Sequence, residues 1–274
     1  MKRVFIFLSI VIAVIFFHSF YIAAISNKGQ SFTAIASEAF KNLGHIEFYE
    51  ALANPTIAYV KVQEGYRKEQ IAEILEDRFN WDDKDKTDFF AYDNLRDRKH
   101  EGKYFPDIYL VPKDVSGKEM RGLMSERFDE KLELLKQEAA KKNMNFDSVL
   151  TIASIIQREA AGAKDMNLIS GIIWNRLYGD MKLQMDATLQ YAKGNEENGW
   201  WPIVVPDDKA IVSPYNTYQN DGLPPSAISN PGLAAVGAAL APQKTNCLYY
   251  FHKDGQIYCS TTYAEHKRKI DLYF

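Results

Sequence analysis

The sequence predicts an α+β protein behind an N-terminal transmembrane helix. Three observations predict this. Residues 4–25 are almost wholly apolar, residues 57–112 read as strand, helix, helix, strand, and residues 146–274 mix helices, a turn-rich loop and a hairpin. On this reading the 274 residues divide into five parts. These are a cytoplasmic tip and membrane helix (1–27), a stalk (28–56), a small α+β module (57–112), a helical connector (113–145) and a mixed helix/strand domain (146–274). Charged residues make up 25% and hydrophobic ones 46%, which excludes disorder throughout, collagen and coiled coil. The 33 basic and 36 acidic side chains leave a net charge of −3, against the basic excess of a nucleic-acid binder.

Met1-Lys2-Arg3 precedes an apolar run, Val4 to Ile25, broken by Ser9, His18 and Ser19. At ~1.5 Å per residue the run can cross a ~30 Å hydrocarbon layer. Lys2 and Arg3 favour an N-terminus left in the cytoplasm. The run exceeds a signal-peptide h-region, and Ala23-Ala24 is a poor cleavage site, so an uncleaved single-pass anchor in a plasma membrane is expected. The remainder would lie outside the cytoplasm. Its two cysteines, Cys247 and Cys259, flank a hairpin turn at Asp254-Gly255. Centring that turn sets Cys259 opposite Tyr250 rather than Cys247, which favours two thiols over a bridge.

The stalk has one helix-like stretch, Phe32 to Leu43. Ile57 to Val62 alternates and ends at Gly65, a strand and turn signal. Ile71, Ile74, Leu75 and Phe79 stand at helical spacing. Asp82 to Asp88 lacks the glycine and spacing of an EF-hand loop and reads as a solvated turn. Tyr109-Leu110-Val111 reads as a strand, and residues 114–142 as a charged connecting helix.

A helix follows from Asp147, its expected cap, to about Ala163. Val149, Ile152, Ile155, Ile156 and Glu159 fall in one stripe about 120° wide at ~100° per residue. Glu159 thus extends an apolar face. Desolvation raises the pKa of such a carboxyl and suits it to donate a proton as a general acid. The alternative is a structural carboxylate that reaches water or pairs with Arg176. A second helix spans Met166 to Leu177 and stops at Gly179. Asp186 can cap a short helix, Ala187 to Ala192, while Gln184 has no evident packing role. Trp200-Trp201 read as partly buried loop anchors. Ser213 to Tyr218 and Gly222 to Pro225 form a loop of the composition that lines sites. Ser229/Asn230-Pro231 starts a helix to Ala241, with a cap and a proline at its first position. The chain ends in a hairpin, Leu248 to Thr262, with Glu265 and His266 at its strand end and a solvated Lys267-Arg268-Lys269 patch. No phosphate loop, HExxH or GxSxG occurs, and His45, His100 and His252 carry no ligand spacing, so no metal or cofactor is expected.

The run Ile152-Ala153-Ser154-Ile155-Ile156-Gln157-Arg158-Glu159 resembles the "ASIxxxE" element of the membrane-anchored endolytic lytic transglycosylases of peptidoglycan, the MltG or YceG-like group. Asn175-Arg176-Leu177, Met181, Leu183-Gln184, Asp186, Thr188 and Tyr191-Ala192 are similar to its next block. Ser213 to Tyr218, Gly222 to Pro225, Ile228 and Asn230-Pro231-Gly232 are similar to the third, and Tyr249-Tyr250-Phe251 with Ala264-Glu265-His266 to the last. Val60, Val62, Gly65, Ile71-Ala72 and Leu75, with Glu101-Gly102 and Phe105-Pro106-Asp107, resemble the group's LysM-like module. Gln157, Ala187, Ile108 and the Tyr66-Arg67 pair depart from its pattern.

The resemblance implies that residues 146–274 are a transglycosylase domain with Glu159 as catalytic acid and base. It implies that Gln184, Asp186, Tyr215 and Asn216, and more weakly Glu265 and His266, hold the sugars. Peptidoglycan glycan strands are the implied substrate, and glycan polymerases of wall synthesis the implied neighbours. Two other readings stand beside it: a hydrolytic muramidase using Glu159 with Asp186, and a non-catalytic, membrane-anchored glycan-binding scaffold.

Overall fold

The computed structural model describes residues 54–91 and 101–274. The expected membrane helix at 4–25 and stalk helix at 32–43 lie outside them. Among the described residues no helix is long and apolar enough to cross a membrane.

The first elements follow the expected order: β1 (Ile57–Lys61), α1 (Lys68–Phe79), α2 (Asp83–Phe90) and β2 (Ile108–Pro112), with β1 and β2 forming a two-stranded sheet. The acidic stretch expected to be a solvated turn is α2. Asp82 caps it by accepting the Asp85 N–H at 2.9 Å, and Asp83 and Asp85 favour the positive end of the helix dipole. Its anchor is Phe89, fully buried with its ring 5.4 Å from Trp81 and 4.9 Å from Tyr104. One apolar anchor makes no periodic pattern, so the acidic composition dominated the sequence reading.

The chain divides into two compact units. Of the described residues, the first holds 54–59 and 110–113, where the Lys113 N–H donates to Thr56 O at 2.9 Å. The second holds Val60–Tyr109 and Asp114–Phe274.

The second unit continues with α3 (Gly117–Lys141), α4 (Phe146–Glu159), α5 (Ala163–Tyr178), α6 (Asp186–Lys193), a 3-10 turn (Pro206–Ala210), α7 (Leu233–Leu240), the hairpin β3 (Tyr249–Lys253) and β4 (Gln256–Ser260), and α8 (Tyr263–Tyr273). A capping box starts α3: Ser116 Oγ accepts the Glu119 N–H while Glu119 Oε2 accepts the Ser116 N–H. Asn145, not Asp147, caps α4, by accepting the Ser148 N–H at 3.0 Å. Asp147 instead lies 3.4 Å from Lys103 Nζ.

Helix α4 is the centre of the core. Every residue from Val149 to Ile156 is buried, so the expected stripe is a fully surrounded helix. Its polar members are satisfied internally: Ser154 Oγ donates to Thr151 O at 2.7 Å and accepts the Ile228 N–H at 2.9 Å. Helix α7, rich in Ala and Gly, packs closely along it. Asn230 does not cap α7, which starts at Leu233 after Gly232. Asn230 is wholly buried and acts as a hub: its side chain accepts the Tyr104 N–H and donates to Tyr66 O and Glu101 Oε1.

The segment after β1 is bound to the helical core by further polar and aromatic contacts. Arg67 is buried, donates to Tyr191 O at 3.1 Å and lies 4.0 Å over the Tyr191 ring. Trp200 and Trp201 are half-buried anchors whose indole N–H groups donate to Glu73 and Gln70, each at 2.8 Å. Arg158 covers the Trp201 ring at 3.9 Å.

Glu101 beside this hub is 3% exposed and accepts the Lys68 N–H. Burial, reinforced by the Glu69 charge, pushes its pKa up to about 8. The folded chain therefore keeps this proton to about pH 8, whereas the unfolded chain loses it near the ordinary carboxyl value. The stabilisation is complete below that ordinary value and is lost as pH rises through about 8. Thermal melts of the parent and Glu101→Gln should therefore diverge between pH of about 5 and 8, with the parent falling further. Parallel curves would contradict this.

Candidate active site

Glu159 is the last residue of α4, where the chain turns out of the helix at Ala160. Its two carboxyl oxygens have separate partners. The Ala187 N–H donates to Oε1 at 2.9 Å, and the Tyr250 hydroxyl donates to Oε2 at 2.7 Å. Ala187 lies in the first turn of α6, which has no side-chain cap. Glu159 therefore satisfies one of the N–H groups that a helix start leaves unpaired. Asp186 is not the cap expected of it; it accepts the Tyr218 hydroxyl at 2.6 Å.

Glu159 is half-buried. Burial raises its pKa and outweighs the Ala187 and Tyr250 donors, which pull it down; the Asp186 charge pushes the same way as burial. The group thus holds a proton at higher pH than an ordinary carboxyl, as a general acid requires. Burial and the Glu159 charge together drive the Tyr250 hydroxyl well above its ordinary value, so Tyr250 stays a donor.

Glu159 opens into a cavity of about 710 Å³. Gln184, Asp186 and His266 line the same cavity, as do Tyr218, Tyr250 and His252. Gln184 is exposed and left-handed, with φ 48°, and its N–H donates to Thr217 O at 3.1 Å. That sparsely populated conformation beside a cleft is the kind of strain found at functional sites. Arg176 also reaches the cavity wall but does not pair with Glu159. It is buried and donates from Nε to Leu248 O at 2.7 Å and from Nη1 to Leu183 O. His252 Nε2 lies 3.4 Å from the buried carboxylate of Asp165.

Three other candidate residues sit elsewhere. Tyr215 shares a hydrogen bond with Ser226 Oγ at 2.8 Å and packs its ring 4.7 Å from Tyr191. Asn216 is wholly buried; its amide donates to Lys209 O and Ile211 O and accepts the Tyr218 N–H. It braces the loop that carries Tyr218. Glu265 accepts the Thr261 N–H at 3.0 Å and lies 2.8 Å from Lys269 Nζ, which together with Thr261 holds its pKa down to about 2. Glu265 and His266 stand in the first turn of α8, not at a strand end, because Thr262 caps that helix through the Glu265 N–H. Lys269, expected in a solvated patch, donates to Cys259 O at 2.7 Å.

The hairpin register is the expected one, with Tyr250 opposite Cys259. The two cysteines are nevertheless bridged, with a Cα–Cα distance of 5.8 Å. The Leu248 N–H reaches Ser260 O, so the chain leaves the ladder before β3, and this departure brings Cys247 to Cys259. Local periodicity could not mark Tyr250, since 91 residues separate it from Glu159, and its one signal was the resemblance of the Tyr249-Tyr250-Phe251 block. Among the described residues no group of three or more His, Cys, Asp or Glu is placed to hold a metal.

The YceG-like family profile matches residues 20–272. A Bacillus subtilis protein named endolytic murein transglycosylase is 34% identical over 215 residues, covering 76% of this chain and 59% of its own length. A Streptococcus pneumoniae protein of the same name is 32% identical over 173 residues, covering 62% of this chain and 31% of its own. The crystal structure of a YceG-like protein from Listeria monocytogenes is similar at a TM-score of 0.65 and 30% identity, covering 77% of this chain and 76% of that one. The chain thus spans less than two thirds of these relatives' own length. With the profile running across nearly the whole chain, the protein belongs to the YceG-like family.

Proposed function

We propose that the protein is an endolytic lytic transglycosylase that cleaves the MurNAc–GlcNAc bond of peptidoglycan without water. The observation that carries the proposal is Glu159: a carboxyl with a raised pKa, held at both oxygens, at the wall of an open cleft. The name borne by its relatives points the same way.

In this reading Glu159 gives its proton to the glycosidic oxygen as the bond to the MurNAc anomeric carbon breaks. The leaving GlcNAc departs with a free 4-hydroxyl. The MurNAc C6 hydroxyl attacks the anomeric carbon, and the Glu159 carboxylate takes its proton. A 1,6-anhydro ring closes and the carboxylic acid is regenerated, so one carboxyl serves both steps where ordinary glycosidases use two. Tyr250 orients the carboxyl and steadies its ionised form between the steps. Gln184, Asp186 and His266 contact the sugars from the cleft wall.

A second reading, a hydrolytic muramidase, is favoured by one fact: Asp186 lies in the same cleft and its charge acts on Glu159. Digestion of intact sacculi, with anhydro ends sought by mass spectrometry, tests the proposal against hydrolysis and against a scaffold that cuts nothing. The proposal extends to the rest of the chain. Residues 4–25 anchor it in the plasma membrane with the N-terminus in the cytoplasm, residues 57–112 form a LysM-like module, and nascent strands beside glycan polymerases are the substrate.

A further inference from the structure

Helix α8 buries none of its residues, yet it is firmly attached at one end. There Tyr273 lies 4.5 Å from the Tyr258 ring and 5.9 Å from Phe251, and Phe274 lies 5.7 Å from Phe251. The other end carries a second aromatic group, whose His266 ring also lies 5.9 Å from Phe251. Tyr263 is 64% exposed, 5.8 Å from the Tyr249 ring, and His266 stacks on Tyr249 at 5.5 Å and 28°. All three line the Glu159 cavity. Arg176 lies 5.5 Å over the Tyr249 ring and itself holds Leu248 O, while the Cys247–Cys259 bridge closes the base of the hairpin. The group is thus mounted on a braced support, with its outermost ring left to solvent beside a candidate catalytic carboxyl. Burial and the nearby Arg176 and Lys269 charges lower the His266 pKa, so its ring favours the neutral form and offers a flat face.

Exposed aromatic rings on a fixed support suit the C–H faces of pyranose rings. They offer apolar contact at little conformational cost and need no charge on the ligand. We propose that Tyr263, supported by Tyr249 and His266, forms a sugar-stacking subsite of the Glu159 cleft that holds a pyranose of the glycan strand beside the bond to be cut. The proposal rests on the transglycosylase reading for its ligand but not for its geometry.

The test uses the full chain carrying Glu159→Gln, so that the strand is not consumed, and a defined GlcNAc–MurNAc tetrasaccharide as probe. Adding Tyr263→Ala should weaken binding about tenfold, while adding Tyr263→Phe should leave it near the parent. Tyr263 is exposed, so unchanged melting curves are expected. Equal affinity of the Tyr263→Ala and parent proteins overturns the subsite, as does a parent that binds no tetrasaccharide. If Glu159→Gln still cleaves glycan, the catalytic role of Glu159 fails separately, and reducing rather than anhydro ends from the parent would sink the transglycosylase reading, while the loss of affinity on Tyr263→Ala still supports the subsite.

Discussion

Glu159→Gln is expected to lower cleavage of glycan strands by roughly 10³-fold or more, with the fold intact. Glutamine has the same shape, and its Oε1 can still accept the Ala187 N–H that Glu159 accepts now. The amide can neither give a proton to the leaving oxygen nor take one from the C6 hydroxyl. Both chemical steps therefore fail together, because one carboxyl serves both. The substitution also removes a carboxyl whose ionised form burial disfavours, so the melting temperature should hold or rise. Turnover of labelled glycan strands, read beside a thermal melt, checks both halves. Activity within tenfold of the parent, in a folded protein, would remove Glu159 from the chemistry.

Tyr250→Phe should produce the second largest effect, a fall in kcat of roughly tenfold or more. Phenylalanine fills the same space but withdraws the donor from Oε2. That donor pulls the Glu159 pKa down, so without it the pKa rises further. For kcat/KM the free enzyme must hold Glu159 protonated, and the alkaline limb of the profile marks the loss of that proton. The limb should move to higher pH. A Tyr250 that only packed the hairpin would lower the melting temperature and leave the limb in place. The pH profile thus separates a positioning role from a structural one.

The place of Glu159 at the end of an apolar helix face was legible because it follows from one helix. Glu159 continues the face of Val149, Ile152, Ile155 and Ile156, and that local periodicity needs no tertiary knowledge. The extent of its burial was not legible, since Ser154 meets the Ile228 segment and α7 packs along the helix, and both come from far along the chain. Asp186 and Asn230 were misread for one reason. Each is a good cap by composition, but a tertiary partner claims its side chain: the Tyr218 hydroxyl for Asp186, and the Tyr104, Tyr66 and Glu101 hub for Asn230. Asn216 has the composition of a site loop, yet its amide is spent bracing that loop. Tyr250 and His252 share one face of β3, but their partners, Glu159 and Asp165, stand on other elements. The disulfide escaped because a register argument holds only within the ladder, and Cys247 precedes it.

The mass of the glycan ends released from intact sacculi tests the central claim most directly. The account predicts 1,6-anhydro-MurNAc ends, lighter by one water than reducing MurNAc ends, from the parent protein and none from Glu159→Gln. Reducing MurNAc ends from the parent would contradict it and favour hydrolysis with Asp186. No new ends at all would leave a binding protein in place of an enzyme.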